Sequence, residues 1–273
     1  MSTNTAYTAT AVPLVPHIRG TAAHRALRAE WTKLRTLPST WRTAAMGTTL
    51  AVAMSAGVAA SQVSQWHSLT AQQRQTFDAT SASMSGVIIA ALLLGALAVR
   101  MVTGEYSSGM IRTTFTAIPA RRLVLAAKAA IVAAFVFPVT LVCDIAGFEI
   151  GQAILSGQHI QVAIGHPGVI RAMLFGAVAV SLIAVIGIGL GGVIRHTAGA
   201  TTALSLIVIG GLLFSQFLPA SWRQYLPETA AQAAVTVNRS AGLLSPGAAL
   251  AVLALFAALA LLAASIRAAH RDA

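Results

Sequence analysis

Six long apolar runs, at 44–63, 83–102, 124–148, 169–194, 200–218 and 247–266, constrain this chain more than anything else in it. Each is near the ~20 residues an α-helix needs to cross about 30 Å of hydrocarbon. Inside a bilayer every backbone N–H and C=O must find its partner within the protein, so only helices and closed barrels span it. Barrel strands alternate apolar and polar residues over segments of ~10 positions. These Ala, Leu, Val and Ile runs do not alternate. The runs predict an all-α integral membrane protein of six transmembrane helices. Composition agrees: 56% of the 273 residues are hydrophobic and 9% are charged, against roughly 25% charged in soluble domains.

A formal net charge of +11 would fit a nucleic-acid partner if it were gathered on one face, but it follows the loops instead. Fourteen of the 18 Lys and Arg residues lie in the amino-terminal segment, in the second and fourth loops with their flanks, and in the tail. Only Arg74, Arg171, Arg223 and Arg239 fall on the alternate side. The positive-inside rule then places both termini in the cytoplasm. The excess charge reads as topology, with no nucleic acid implied. Cys143, within the third run, is the only cysteine, which excludes an intrachain disulfide and a cysteine metal cluster. Residues 1–20, without an early Lys or Arg or a continuous apolar core, do not make a cleavable secretory signal. They are expected to be a disordered cytoplasmic tail, leaving 21–273 as a single membrane domain.

Over 24–37, Leu27, Trp31 and Leu34 recur at i, i+4, i+7, while Arg25, Arg28, Thr32 and Arg35 occupy the rest of the helix surface. That pattern predicts an interfacial helix on the inner leaflet, with Trp31 at head-group depth; a soluble amphipathic helix is the alternative. Pro38 and Ser39 break it before Trp41 and Arg42 anchor the first span.

A charged island, VTGEYSSGMIRTTFTAIPARRLVLAAK at 102–128, separates the second and third runs. Thr103-Gly104-Glu105 reads as a stop, and a hydroxyl of Ser107 or Ser108 as the cap of a new helix starting near Gly109. Met110, Ile111, Thr114, Phe115 and Ile118 gather on one face of it, with Arg112, Thr113 and Thr116 opposite. Pro119 ends it, since proline has no N–H to donate and disfavours helical backbone in the residue before it. Arg121, Arg122 and Lys128 then open the next run. The spacing fits a surface that another protein grips, and equally a positive loop lying on lipid head groups.

Elsewhere the signals are fewer. The loop 64–80 is short and polar and reads as a connector. The third run holds Pro138, Asp144 and Glu149. A carboxylate near the bilayer centre costs about 2.5–3.5 kcal/mol, so Asp144 is a candidate for the substrate path or a proton contact, or else lines an entrance or serves structure. Asp144 and Glu149 point about 140° apart at ~100° per residue and do not form a paired-carboxylate site. Gly176, Gly187, Gly189, Gly191 and Gly192 in the fourth run, and Gly210-Gly211 in the fifth, let helix backbones approach closely, with hinge motion as a second use. Residues 216–246, interrupted by Pro219, Pro227 and Gly242 and carrying Trp222 and Tyr225, read as one or two short broken helices dipping into the outer leaflet.

No H-E-x-x-H, G-x-S-x-G or G-x-x-x-x-G-K-[ST] occurs, and His67, His159, His166 and His196 are scattered. An intramembrane hydrolase is improbable, and the chain has no P-loop of its own for ATP.

Glu-Trp-Thr-Lys-Leu-Arg at 30–35, Gly-Glu-Tyr-Ser-Ser-Gly-Met-Ile-Arg at 104–112, six spans and a broken segment before the last together resemble an ABC type 2 transporter permease of the actinobacterial kind. The likeness covers nearly the whole chain; His270 stands where an arginine is usual. It implies the membrane subunit of an exporter in a bacterial cytoplasmic membrane, not an enzyme. ATP would be bound by separate ABC ATPase subunits, and a second permease copy, identical or related, would complete the path. It further implies that 24–37 is the interfacial helix and that Glu105 with Met110, Ile111, Phe115 and Ile118 forms the ATPase-coupling region. Apolar and small residues along the spans tilt the cargo toward a hydrophobic, amphipathic or lipid-like molecule moved by alternating access. The alternatives are a non-transporting membrane anchor that recruits a cytoplasmic partner, and an ion-coupled carrier, for which inverted repeats and several buried charges would be expected.

Overall fold

The computed structural model describes residues 21–117, 120–214, 217–238 and 242–270, and every regular element among them is helical. The tail at 1–20 and Ile118 lie outside the described residues, as does the side chain of Phe115. Thr21 caps helix α1 (Ala22–Thr36) by accepting from the His24 N–H. After Leu37, Pro38 takes the first position of α2 (Pro38–Gln65), where its missing N–H costs nothing. The expected break between the interfacial segment and the first span is therefore one residue long.

Among the described residues, five helices are long and apolar enough to cross a membrane: α2, α5 (Val87–Ser107), α7 (Arg121–Leu155), α8 (Val169–Ile194) and α12 (Pro246–His270). The fifth run forms α9 (Thr197–Phe214), whose apolar stretch Thr197–Gly211 is shorter than those five. Its 18 residues cover ~27 Å at 1.5 Å each, just under the hydrocarbon thickness. Thus five spans meet the length and composition of a crossing helix where the sequence promised six. At 35 residues, α7 reaches ~52 Å, well beyond the hydrocarbon. Its Pro138 is accommodated without ending the helix.

Around α8, buried along most of its length, pack α5, α7, α9 and α12, while α2 lies against α5 and α7. The small residues of α8 set that closeness. A Cβ on Gly189 would stand 2.5 Å from the backbone and side chain of Ala260 on α12, so only glycine allows this approach. Small-residue packing was the expected use of these glycines. The outer faces of α2 and α12 remain open, with Met46, Leu50 and Met54 on one and Leu255, Leu259 and Leu262 on the other.

Chain direction puts the ends of α5, α8 and α12 and the starts of α2, α7 and α9 at one end of the bundle, here the charged end. There Arg121 donates to the Ala268 carbonyl at 2.7 Å and Arg195 to that of Arg267 at 3.4 Å. Both guanidiniums thus meet carbonyls in the last turns of α12, where cations are favoured. At the far end, α3 (Ala71–Gln75), α4 (Ala79–Ser83), α10 (Ala220–Arg223) and α11 (Pro227–Val235) form a lid of short helices. The expected connector at 64–80 is more structured than its composition shows. Asp78 Oδ1 caps α4 through the N–H groups of Thr80 and Ser81, while its Oδ2 accepts from Val237 and Asn238 beyond α11. Buried Gln152 adds a second tie, donating to the Ala79 carbonyl and Ser83 Oγ and accepting from the Val162 N–H. The two short helices α10 and α11 match the broken segment expected before the last span, with Trp222 and Tyr225 exposed.

Candidate functional site

The charged island does not stop where its Thr-Gly-Glu suggests. Helix α5 runs through Glu105 to Ser107, and the hydroxyls of Ser107 and Ser108 bond back to the Gly104 carbonyl. They close α5 instead of opening the next helix, joining the Ser108 N–H on the Gly104 carbonyl at the helix end. Gly109, at φ +71°, makes the turn, and α6 (Met110–Ala117) follows.

Running on by two residues brings Glu105 inward. Its side chain is buried, and so are those of Glu30 on α1 and Lys128 on α7. Lys33 Nζ donates to Glu30 Oε1 and to Glu105 Oε1, each at 2.8 Å. Lys128 Nζ donates to Glu105 Oε1 at 2.8 Å and to Glu30 Oε2. Two carboxylates and two ammoniums thus close a ring with no net charge, joining α1, α5 and α7. Burial pulls the Lys33 ammonium toward neutrality, but the hydrogen bonds and charges of Glu105 and Glu30 outweigh it and hold its pKa above the usual lysine value. Lys33 is charged at neutral pH.

The ring divides the residues expected to line one face of α1. Leu34 is fully buried beside Ala26 and Glu30, facing α7, whereas Leu27 and Trp31 are 37% and 45% exposed. One stripe holds the protein and its neighbour faces outward, a placement compatible with lipid. On α6, Ile111 is buried and shares a small crevice with Val102, Tyr106, Leu125 and Lys128, so it seats the helix on the bundle. Met110 is 43% exposed, and Thr113 and Thr116 are exposed as well. The hydroxyls of Thr113, Thr114 and Thr116 return to backbone carbonyls one turn back. Among the described side chains of α6, those turned outward are Met110, Thr113 and Thr116.

Asp144 is 2% exposed and far from this end. Its Oδ2 has no hydrogen-bond partner among the described residues and faces Gly176 of α8, near Val235 and Met84. Glu149 is exposed on another face of α7, as the helical angle requires. No group of three or more metal-ligating side chains occurs among the described residues.

The sequence pointed to Glu105 but not to its partners. Glu30 sits four residues from both Ala26 and Leu34, on the protein-facing stripe, and Lys128 lies inside an apolar run; an acid and a base each out of place by polarity was the available signal. No curated protein matches the chain. A family profile described as ABC-2 family transporter protein matches residues 26–212. Those residues take in the charge ring, α6 and Asp144, and over well more than half its length this chain belongs to the ABC-2 transporter family.

Proposed function

We propose that the chain is the permease of an ATP-driven exporter, in which ATP closes separate ABC ATPase subunits and two permeases rock between inward- and outward-open states. As an ABC-2 membrane component it works with an ABC ATPase and is not itself one. Six spans, counting α9, with both termini cytoplasmic, put α1 and α6 on the ATPase side of a bacterial cytoplasmic membrane. Residues 21–273 then act as one transport domain, and the cargo is amphipathic or lipid-like.

The observation that carries this reading is the buried ring of Glu30, Lys33, Glu105 and Lys128. It fastens the interfacial helix to two crossing helices directly beside α6, so a push on α6 is delivered to the spans and is not absorbed by a loose loop. Glu105 takes part from inside the bundle, through its ion pairs, and Met110 with Thr113 forms the face toward the ATPase. Phe115 and Ile118 belong to the same coupling segment. A mere anchor needs no such rigid connection.

The test is co-purification of the ATPase and its stimulated turnover in proteoliposomes. Thr113→Arg, which places a bulky cation on the exposed edge of α6, is expected to lower both at least tenfold, equivalent to about 1.4 kcal/mol of docking energy. Gln72→Arg, at the far end, should leave both unchanged. Full assembly and turnover with Thr113→Arg would place the ATPase contact elsewhere.

A further inference from the structure

Near the far end a cavity of about 480 Å³ opens between α2, α5, α8, α9 and α11, within the roughly 300–1,000 Å³ of small-molecule sites. Helix direction assigns a depth to its lining, since α2 and α9 run toward the far end and α5 and α8 away from it. Gln62 sits in the last turn of α2, and the other polar lining residues belong to the lid helices α4 and α11 or to the turns beside them. Those within the spans are apolar: Ile88 and Ala91 on α5, Val180 and Ile183 on α8, Val208 on α9. At 1.5 Å per residue, Val180 and Ile183 lie about 16 and 21 Å along α8 from its first residue. Among the described residues the lining can hydrogen-bond only toward its lid end and is hydrocarbon farther in.

The charges of the lining are already engaged. Asp78 Oδ1 accepts from the N–H groups of Thr80 and Ser81, and its Oδ2 from those of Val237 and Asn238. Glu228 is partnered as well, its Oε1 taking the Gln232 amide at 2.9 Å. No Lys, Arg or His lines the space among the described residues. Neither an anionic nor a cationic head is called for. What is unspent is the pair of hydroxyls of Ser81 and Ser85, both lining the cavity, whose oxygens are buried with no hydrogen-bond partner among the described residues. Each can donate one proton and accept in return. Leaving such a group buried and unpaired is costly, so it marks a place where a ligand or water completes the bonding.

We propose that this cavity binds a neutral single-chain amphiphile, its hydrocarbon among Ile88, Ala91, Val180, Ile183 and Val208 and its ester or hydroxyl head on the hydroxyls of Ser81 and Ser85. An ester carbonyl accepts what the two serines have to give, and an uncharged head enters the membrane end of the protein without needing a counter-charge. As a cargo site the cavity rests on the export reading above; as a binding site it stands apart from it.

The experiment uses the full-length chain in lipid nanodiscs and four photoactivatable probes sharing one dodecyl chain: a glycerol ester, a trimethylammonium, a sulfate and the bare hydrocarbon. The glycerol ester is expected to label peptides containing Ile88 and Ile183 about tenfold more than each of the other three. Ser81→Ala combined with Ser85→Ala removes both hydroxyls without breaking a bond that either makes within the chain, so the fold is kept while labelling by the ester falls to the level of the bare hydrocarbon. Val58→Trp, which fills the space, should abolish the labelling, and Val87→Trp serves if the first variant does not fold. A charged head that labels as strongly as the ester, or labelling indifferent to both tryptophans, overturns the proposal. So does ester labelling unchanged in the double serine variant, which would mean that water alone completes those hydroxyls. Selective labelling by the ester that fails to stimulate the reconstituted ATPase supports the binding site and counts against the export reading alone.

Discussion

At the scale of single residues the chain's charges divide by use. Lys33 and Lys128 are consumed in the buried ring, and Arg121 and Arg195 hold the last carbonyls of α12. Much of the positive excess at the charged end therefore has structural partners, which a count along the sequence could not show. Taking one member from a buried ion pair strands its partner, at a cost of about 3–5 kcal/mol. Lys128→Met, at a position 3% exposed, is expected to lower the unfolding free energy by about that amount, measured by titrating sodium dodecyl sulfate into mixed micelles. Lys33, 25% exposed, remains partly hydrated, and Lys33→Met should cost about 1 kcal/mol or less. Adding Glu30→Gln to Lys128→Met restores neutrality, so the double variant should lose less than the sum of its parts. Strict additivity would mean that Glu30 and Lys128 are not coupled.

At the scale of elements, glycines of the same chemical type carry opposite consequences. Gly189 in α8 is pressed against Ala260, whereas a Cβ on Gly104 near the end of α5 meets nothing within 4 Å. Gly189→Leu should force α8 and α12 apart and destabilise by about 1–3 kcal/mol or more. Gly104→Ala relieves a flexible residue inside a helix and should stabilise by roughly 0.5–1 kcal/mol. The same micelle titration decides both, and a loss of stability in Gly104→Ala would show that the space beside Gly104 is not open in the folded chain. Apolar length made the existence of α2, α5, α7, α8 and α12 legible, since a spanning helix satisfies its backbone from its own sequence, but α2 (Pro38–Gln65) begins well before its run at 44–63 and α7 (Arg121–Leu155) ends well beyond its run at 124–148. The ends were less legible: α5 outran its Thr-Gly-Glu, and its two serines closed one helix instead of opening the next. A hydroxyl can serve either neighbour, and which one it serves is settled by the turn that Gly109 takes.

At the scale of the whole molecule, the distribution of Lys and Arg predicts orientation. In a Cys143→Ala background, single cysteines at Gln72 and His159, both exposed at the far end, are expected to react with a membrane-impermeant maleimide on intact cells. Thr113→Cys should react only after permeabilisation, and external reaction there would invert the topology. The sequence by itself determined that the chain is helical, that it lies in a membrane, where its long helices run and that it carries no phosphate-binding loop. These follow from local hydropathy and spacing, which each segment expresses without its neighbours. Only the tertiary structure decided that Glu30, Lys33, Glu105 and Lys128 form one ring, that Asp78 ties α4 to the segment after α11, and that two carboxylates edge one cavity. Those facts join residues up to 160 positions apart, and no local pattern encodes such a meeting. It arises because the helices pack side by side around α8, with glycines such as Gly189 allowing the close approach, and that packing sets which side chains share the space between them.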